Sequence, residues 1–182
     1  MALGVYRTKT YIAADFDSDK DAVDQLHKWN DNNYWGLSFN DVHSLTQSRD
    51  SSQYCSIKSS LKSRMDVSKT FVIIIGANTN DITKGSCSYC DSYRVCYTKP
   101  SYCAKGYSVS TLSYIKYECE QAVKANIKIV VLYKSTIVNK NLCPESIRSI
   151  GTHIAMKHWT INSLGQRVID WDYQAVKNAI NG

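Results

Sequence analysis

Two rhythms of apolar residues alternate along this chain. Short unbroken apolar runs fit strands buried on both faces, and runs with apolar residues every three or four positions fit amphipathic helices. "TYIAADF" (10–16) reads as a first strand. "SDKDAVDQLHKW" follows from Ser18, with Ala22, Val23, Leu26 and Trp29 on one helical face and a capping-box pattern in Ser18 and Asp21. "YWGLSFNDVHS" (34–44) is a weaker second strand. "YCSIKSSLKSRMDVS" (54–68) places Ile57, Leu61 and Met65 at helical spacing, and "FVIIIGANTN" (71–80) is the clearest strand, closed by glycine. A cysteine- and tyrosine-rich loop spans roughly 81–110. Then come a helix in "SYIKYECEQAVKAN", the strand "IKIVVLY" and a short helix in "CPESIRSI" with Pro144 near its start. A fifth strand in "HIAMKHWTI" and a terminal helix in "DYQAVKNAING" end the series.

Strands alternating with helices predict a mainly parallel sheet covered by helices on both faces. The expected fold class is α/β, a doubly wound, flavodoxin-like five-stranded sheet in the order 2-1-3-4-5, with Phe71–Ile75 and Ile129–Leu132 central and buried. No repeat, low-complexity tract or linker interrupts it, so residues 1–182 are expected to form one domain. In such sheets ligands bind outside the carboxyl ends of the strands. Here those ends are 15–19, 41–44, 76–80 and 134–136.

Composition narrows the picture. With 43% hydrophobic and 21% charged residues, the 182-residue chain has a globular composition. The net charge of +6 favours anionic partners weakly. The basic residues are scattered, without a dense run interleaved with aromatics, which argues against a nucleic-acid partner. "MALGVYRTKT" has no apolar signal-peptide core, and no apolar run approaches the roughly 20 residues needed to span a bilayer. A cytoplasmic protein without a membrane partner is expected, its seven cysteines mostly free thiols.

Several activities housed by this architecture are disfavoured. "DFDSDKD" after the first strand would repel a phosphate, and "GANTN" lacks the phosphate-accepting aspartate of a receiver domain. Neither G-x-G-x-x-G, G-x-x-x-x-G-K-[ST] nor G-x-S-x-G occurs. The third predicted helix holds two glutamates that a helical wheel separates. Leu112, Ile115, Cys119, Ala122 and Val123 form its apolar stripe. Glu120 falls roughly 120° from the centre of that stripe, in solvent, whereas Glu118 falls about 80° away, at the margin of the core. Position alone makes Glu118 either a flanking salt-bridge residue or a carboxylate lining a cleft.

"IIIGANTN…SYIKYECEQAVKANIKIVVLY", with "YIAADFDSDKD", "WGLSFNDVHS" and "IKSSLKSRMDVSKTFVIIIGANT", resembles the TIR-like family of bacterial Thoeris antiphage defence, represented by the ThsB proteins. The family motif W-x-x-Y-E-[IL] falls on Tyr114, Tyr117, Glu118 and Cys119, with tyrosine in place of tryptophan and cysteine in place of the aliphatic residue. The resemblance implies that Glu118 is the catalytic residue of an NAD-cleaving signalling enzyme. NAD is then a substrate, and no resident cofactor is implied. One fixed carboxylate suits this chemistry: nicotinamide leaves as a neutral molecule, and the developing ribose cation is what needs stabilising. An ADP-ribose-derived, cyclic or conjugated product sensed by a downstream effector is implied as well. Asp15, Phe16, Asp17, Asn78 and Tyr114 are weaker substrate-binding candidates. Asn78 is expected to hold a turn through its tolerance of left-handed backbone. Asp41, His43 and Ser44 read as structural, and His27, His153 and His158 show no ligand spacing. Self-association is implied through the polar loop 43–54. The alternatives are a non-catalytic adaptor acting by self-association and a nucleotide-binding module.

Cys87, Cys90, Cys96 and Cys103 in the long loop can be read as four zinc thiolates, as free thiols or as a disulfide or redox set. The spacing lacks the second C-x-x-C of the strong zinc pattern and the resemblance implies no metal here, so mostly free thiols without a metal are expected.

Overall fold

The computed structural model describes residues 9–32, 37, 39, 41, 54–89, 95–96, 99–103 and 109–182. Its centre is a parallel sheet of four strands: β1 (Lys9–Ala13), β2 (Ser68–Ile75), β5 (Lys128–Tyr133) and β6 (Thr152–Ala155), in the order β1-β2-β5-β6. β2 and β5 are central and buried, as their unbroken apolar runs require. Tyr11 pairs with Phe71 and Phe71 with Ile129; one residue on, Ile12 pairs with Val72 and Val72 with Val130. That one-residue alternation builds two cores. Tyr11, Phe71, Ile73, Ile129 and Val131 pack with Leu61 and Met65 of α2 (Tyr54–Asp66) and Ile115, Cys119 and Ala122 of α3 (Tyr114–Lys124). Ile12, Val72, Ile74, Val130 and Leu132 pack with Val23 and Leu26 of α1 (Lys20–Asp31) and Val176 and Ile180 of α4 (Tyr173–Asn181). Helices therefore cover both faces.

Three expectations change. The described sheet has four strands rather than five in the order 2-1-3-4-5. The second predicted strand, 34–44, lies largely outside the described residues, although Asp41 within it makes a parallel bridge to Thr10. The fifth predicted strand, 153–161, is split at Met156. β6 joins the parallel sheet, and β7 (Lys157–Ile161) leaves it to pair antiparallel with β8 (Arg167–Trp171), a strand the pattern did not suggest. The misreading has a physical source: Trp159, Ile161 and Ile169 face outward, so apolar character there does not signal burial. Finally, α1 has no capping box. Asp19 is its N-cap without a side-chain cap bond, and the Ser18 hydroxyl donates to Asp15 Oδ2 at 2.6 Å instead.

The cysteine-rich region contains two short 3-10 turns, Thr79–Asp81 and Cys87–Tyr89, and a small hairpin of β3 (Val95–Cys96) and β4 (Lys99–Cys103). Cys87 is a buried free thiol whose sulfur accepts the Ser110 amide at 3.4 Å. The side chains of Cys90, Cys96 and Cys103 lie outside the described residues. Among the described residues, no helix is long and apolar enough to cross a membrane.

Candidate active site

The site is built where α3 crosses β1. Ser113 caps the helix, its hydroxyl accepting the Lys116 amide at 3.3 Å. Lys58, a buried lysine of α2, anchors the approach to that cap. Its ammonium donates to the carbonyls of Ser110 at 2.9 Å and Leu112 at 2.6 Å. Burial lowers the Lys58 pKa, and the ammonium also stands 5.5 Å from the ring centroid of Tyr117. Gly85 closes the corner. It adopts φ +92°, and a Cβ there would lie 2.5 Å from the Tyr114 ring. Tyr114 is thus held between Gly85 and Tyr54, with a centroid distance of 5.9 Å to the latter ring.

α3 is rotated relative to the wheel. Val123, expected in the apolar stripe, is 39% exposed, and Glu118 takes a place on the buried face with Ile115, Cys119 and Ala122. Glu118 is 6% exposed, and its Oε1 accepts the Tyr11 hydroxyl at 2.5 Å. A hydrogen bond to a carboxylate at that length is charge-assisted. Burial, with the neighbouring Glu118 carboxylate adding to it, pushes the Tyr11 pKa well above its ordinary value, so the phenol remains a donor. The Tyr11 ring is positioned by Phe71, 5.8 Å away between centroids. Glu120 has a different setting, half-exposed and paired with Lys124 at 3.2 Å.

The remaining candidates gather at the carboxyl ends of β1 and β2. Asp15 organises the turn after β1: its carbonyl accepts the amides of Ser18 at 3.2 Å and Asp19 at 2.7 Å, and its carboxylate holds Ser18. Phe16 and Asp17 are exposed, and Asp17 lies 3.9 Å from Lys84, which links this turn to the segment entering α3. Asn78 holds its turn through a carbonyl that accepts the Asp81 amide at 2.9 Å. Its backbone is not left-handed, with φ −111° and ψ 5°, so the expected reason for asparagine there does not apply. Tyr114 starts α3 on this side, and Glu118 lies one turn further in.

Sequence reasoning missed four participants. Tyr11 was hidden inside an apolar strand run, and Lys58 among exposed basic residues of α2. Lys134 follows β5 and ties the sheet to the β1–α1 turn, reaching Ser18 O at 2.7 Å, Asp19 at 3.5 Å and Asp21 at 2.5 Å. Asp19 is buried against Gly76, and burial raises its pKa. Among the described residues no cluster of three or more His, Cys, Asp or Glu side chains has the geometry of a metal site.

The β1–α1–α2–β2 succession with its acidic turn invites comparison with known families. Residues 11–84 match the family model of the Thoeris protein ThsB, TIR-like domain. No curated protein matches the chain. The TIR-like match covers less than half of the chain. It takes in Tyr11, Asp15, Phe16, Asp17, Lys58 and Asn78, and it ends at Lys84, before α3. Each partner of the Tyr11–Glu118 bond therefore stands on a different footing: Tyr11 opens the matched segment, and Glu118 lies beyond its end.

Proposed function

We propose that this protein is a TIR-like signalling enzyme of antiphage defence that cleaves the bond between nicotinamide and ribose in NAD, with Glu118 as the catalytic carboxylate. The family match supports the defence-signalling part. The observation that carries the enzymatic part is the burial of Glu118 at the Y-x-x-Y-E position of α3, its carboxylate oriented by the Tyr11 hydroxyl.

The chemistry follows from that setting. As the glycosidic C–N bond breaks, its electron pair leaves with nicotinamide, which departs neutral and needs no proton. The ribose carbon becomes cationic. A carboxylate in poorly solvated surroundings stabilises that cation more strongly than water does, because it is pre-oriented and weakly screened. Tyr11 fixes the carboxylate rotamer. An acceptor oxygen or nitrogen then attacks the cation and gives up a proton to Glu118 or to solvent, yielding ADP-ribose or a cyclic or conjugated product. Asp15, Phe16, Asp17, Asn78 and Tyr114 border the side from which substrate approaches. A downstream effector senses the product, and self-association through loop 43–54 completes the active assembly; residues 43–53 of that loop lie outside the described residues, and Tyr54 begins α2.

A second reading is favoured by the same bond. Glu118 bolts α3 to β1, which is also what a non-catalytic adaptor working by self-association would use it for. The two readings are separated by chromatography of nicotinamide released from NAD by the parent, Glu118→Gln and Glu120→Gln under conditions where the parent is active. Loss of one such electrostatic contact slows the reaction about 10²–10³-fold in Glu118→Gln, while Glu120→Gln keeps parental activity. Full activity in Glu118→Gln, or equal loss in both variants, removes Glu118 as the catalytic residue, and a parent that releases no nicotinamide sets the enzyme reading aside in favour of the adaptor.

A further inference from the structure

We propose that one face of the β7–β8 hairpin is a docking surface for a partner-protein segment that combines apolar and carboxylate side chains. The hairpin is rooted in the core. Met156, just before β7, is fully buried, and Trp171 at the end of β8 packs edge-on against Trp29 with centroids 6.4 Å apart. Beyond that root, cross-strand pairs set Lys157 opposite Trp171, Trp159 opposite Ile169 and Ile161 opposite Arg167. Side chains alternate along a strand, so all three pairs share one face. Trp159 and Ile169 are each 50% exposed, Ile161 is 72% exposed, and Leu164 at the turn is 79% exposed. Asn162 holds that turn, its Oδ1 accepting the amides of Leu164 at 3.0 Å and Gln166 at 2.9 Å. A surface carried on ordered backbone loses little freedom on binding.

Charge selects the occupant. Both cations of the face lie over its rings, the Lys157 ammonium 4.4 Å from the Trp171 centroid and the Arg167 guanidinium 4.4 Å from that of Trp159. Asp170, the carboxylate of β8, pairs with His158 on the opposite face. The result is an apolar strip edged by positive charge on a chain of net charge +6. A second copy would bring like charges together, and the amide-rich tip of Asn162, Ser163 and Gln166 is costly to place in hydrocarbon. An acidic, apolar protein segment meets both features, and tryptophan with arginine is the composition of binding hot spots.

Selection from a displayed library of random twelve-residue peptides against the full chain provides the test. The expected outcome is enrichment of peptides mixing Asp or Glu with large apolar residues. Their affinity should fall at least tenfold for Trp159→Ala and for Arg167→Glu, and stay unchanged for Thr160→Ala on the other face. Lysine-for-acid peptides should regain affinity for Arg167→Glu. Far-UV circular dichroism and melting confirm that each variant is folded. Absence of binders, or binders indifferent to both substitutions, overturns the proposal. So does concentration-dependent dimerisation abolished by Ile161→Glu, or co-sedimentation with phosphatidylserine-containing vesicles lost in the same variant.

Discussion

Glu118 and Glu120 lie two positions apart and occupy different dielectric surroundings, which separates their roles at the scale of single residues. The Tyr11 hydroxyl ties Glu118 to β1, and removing a donor from a buried carboxylate costs more than removing a surface contact. Tyr11→Phe is expected to lose about 1–3 kcal/mol of stability in urea unfolding. In Glu118→Gln the additional effect of Tyr11→Phe should be smaller, because the amide is neutral; additive losses would show that the bond contributes little. A second residue pair sets a pH dependence. His27 Nε2 lies 3.2 Å from Asp41 Oδ2, and that bond raises the His27 pKa above its usual 6.5 despite partial burial. Because the folded pKa is the higher one, the stabilisation is complete below the unfolded pKa and is lost as pH rises through the folded pKa. Asp41→Asn should therefore destabilise the protein more at about pH 5 than at about pH 8, and NMR titration should find the His27 pKa lowered in the variant. Glu118 was singled out by its motif and its place on the wheel. Tyr11 was not, because a tyrosine in a strand run reads as packing until the hydroxyl's partner, 107 positions away, is known.

At the scale of elements, α3 is placed by groups outside itself. The Lys58 ammonium holds the Ser110 and Leu112 carbonyls, and Gly85 makes room for Tyr114. Lys58→Met keeps the length of the side chain and leaves both carbonyls without this donor. Hydrogen exchange should become faster in residues 113–118, and stability should fall by about 1–3 kcal/mol. Unchanged protection there would remove Lys58 as the anchor of the helix. The helices and the two central strands were legible because burial on one stripe, or on both faces, leaves a periodic trace. The β7–β8 hairpin was not, since its apolar residues face outward and imitate a buried run. The direction of α3 was misjudged by part of a turn: Leu112 and Val123 pulled the calculated stripe away from Glu118, while packing against β1 and β2 pulled it back.

For the whole molecule, Lys134 is the clasp between the end of β5 and the turn that joins β1 to α1. Asp19 and Asp21 raise its pKa against the effect of burial. Desolvation pushes Asp21 up, but the hydrogen bond and charge of Lys134 and the Ala22 amide together hold it below its ordinary value, and Asp19 is raised by burial. Lys134→Met should cost about 3 kcal/mol at neutral pH because it strands the buried Asp19 carboxylate. The penalty should shrink as pH falls and Asp19 protonates, and adding Asp19→Asn should recover most of it; denaturant titrations of the single and double variants across pH check this. The strand ends 15–19 and 134–136 were placed at one end of the sheet, but nothing in the sequence paired Lys134 with Asp19, 115 positions away, whereas the α/β class followed from alternation alone. The strand order β1-β2-β5-β6 carries one more consequence. Each described strand of the parallel sheet adds to the side already built by its predecessor, and none has to be inserted between earlier ones. The sheet can therefore be laid down in the direction of synthesis, with β1 and β2 joined while later residues are still in the ribosome. Tyr11 is then waiting on a finished template when α3 emerges, and Glu118 acquires its partner on arrival.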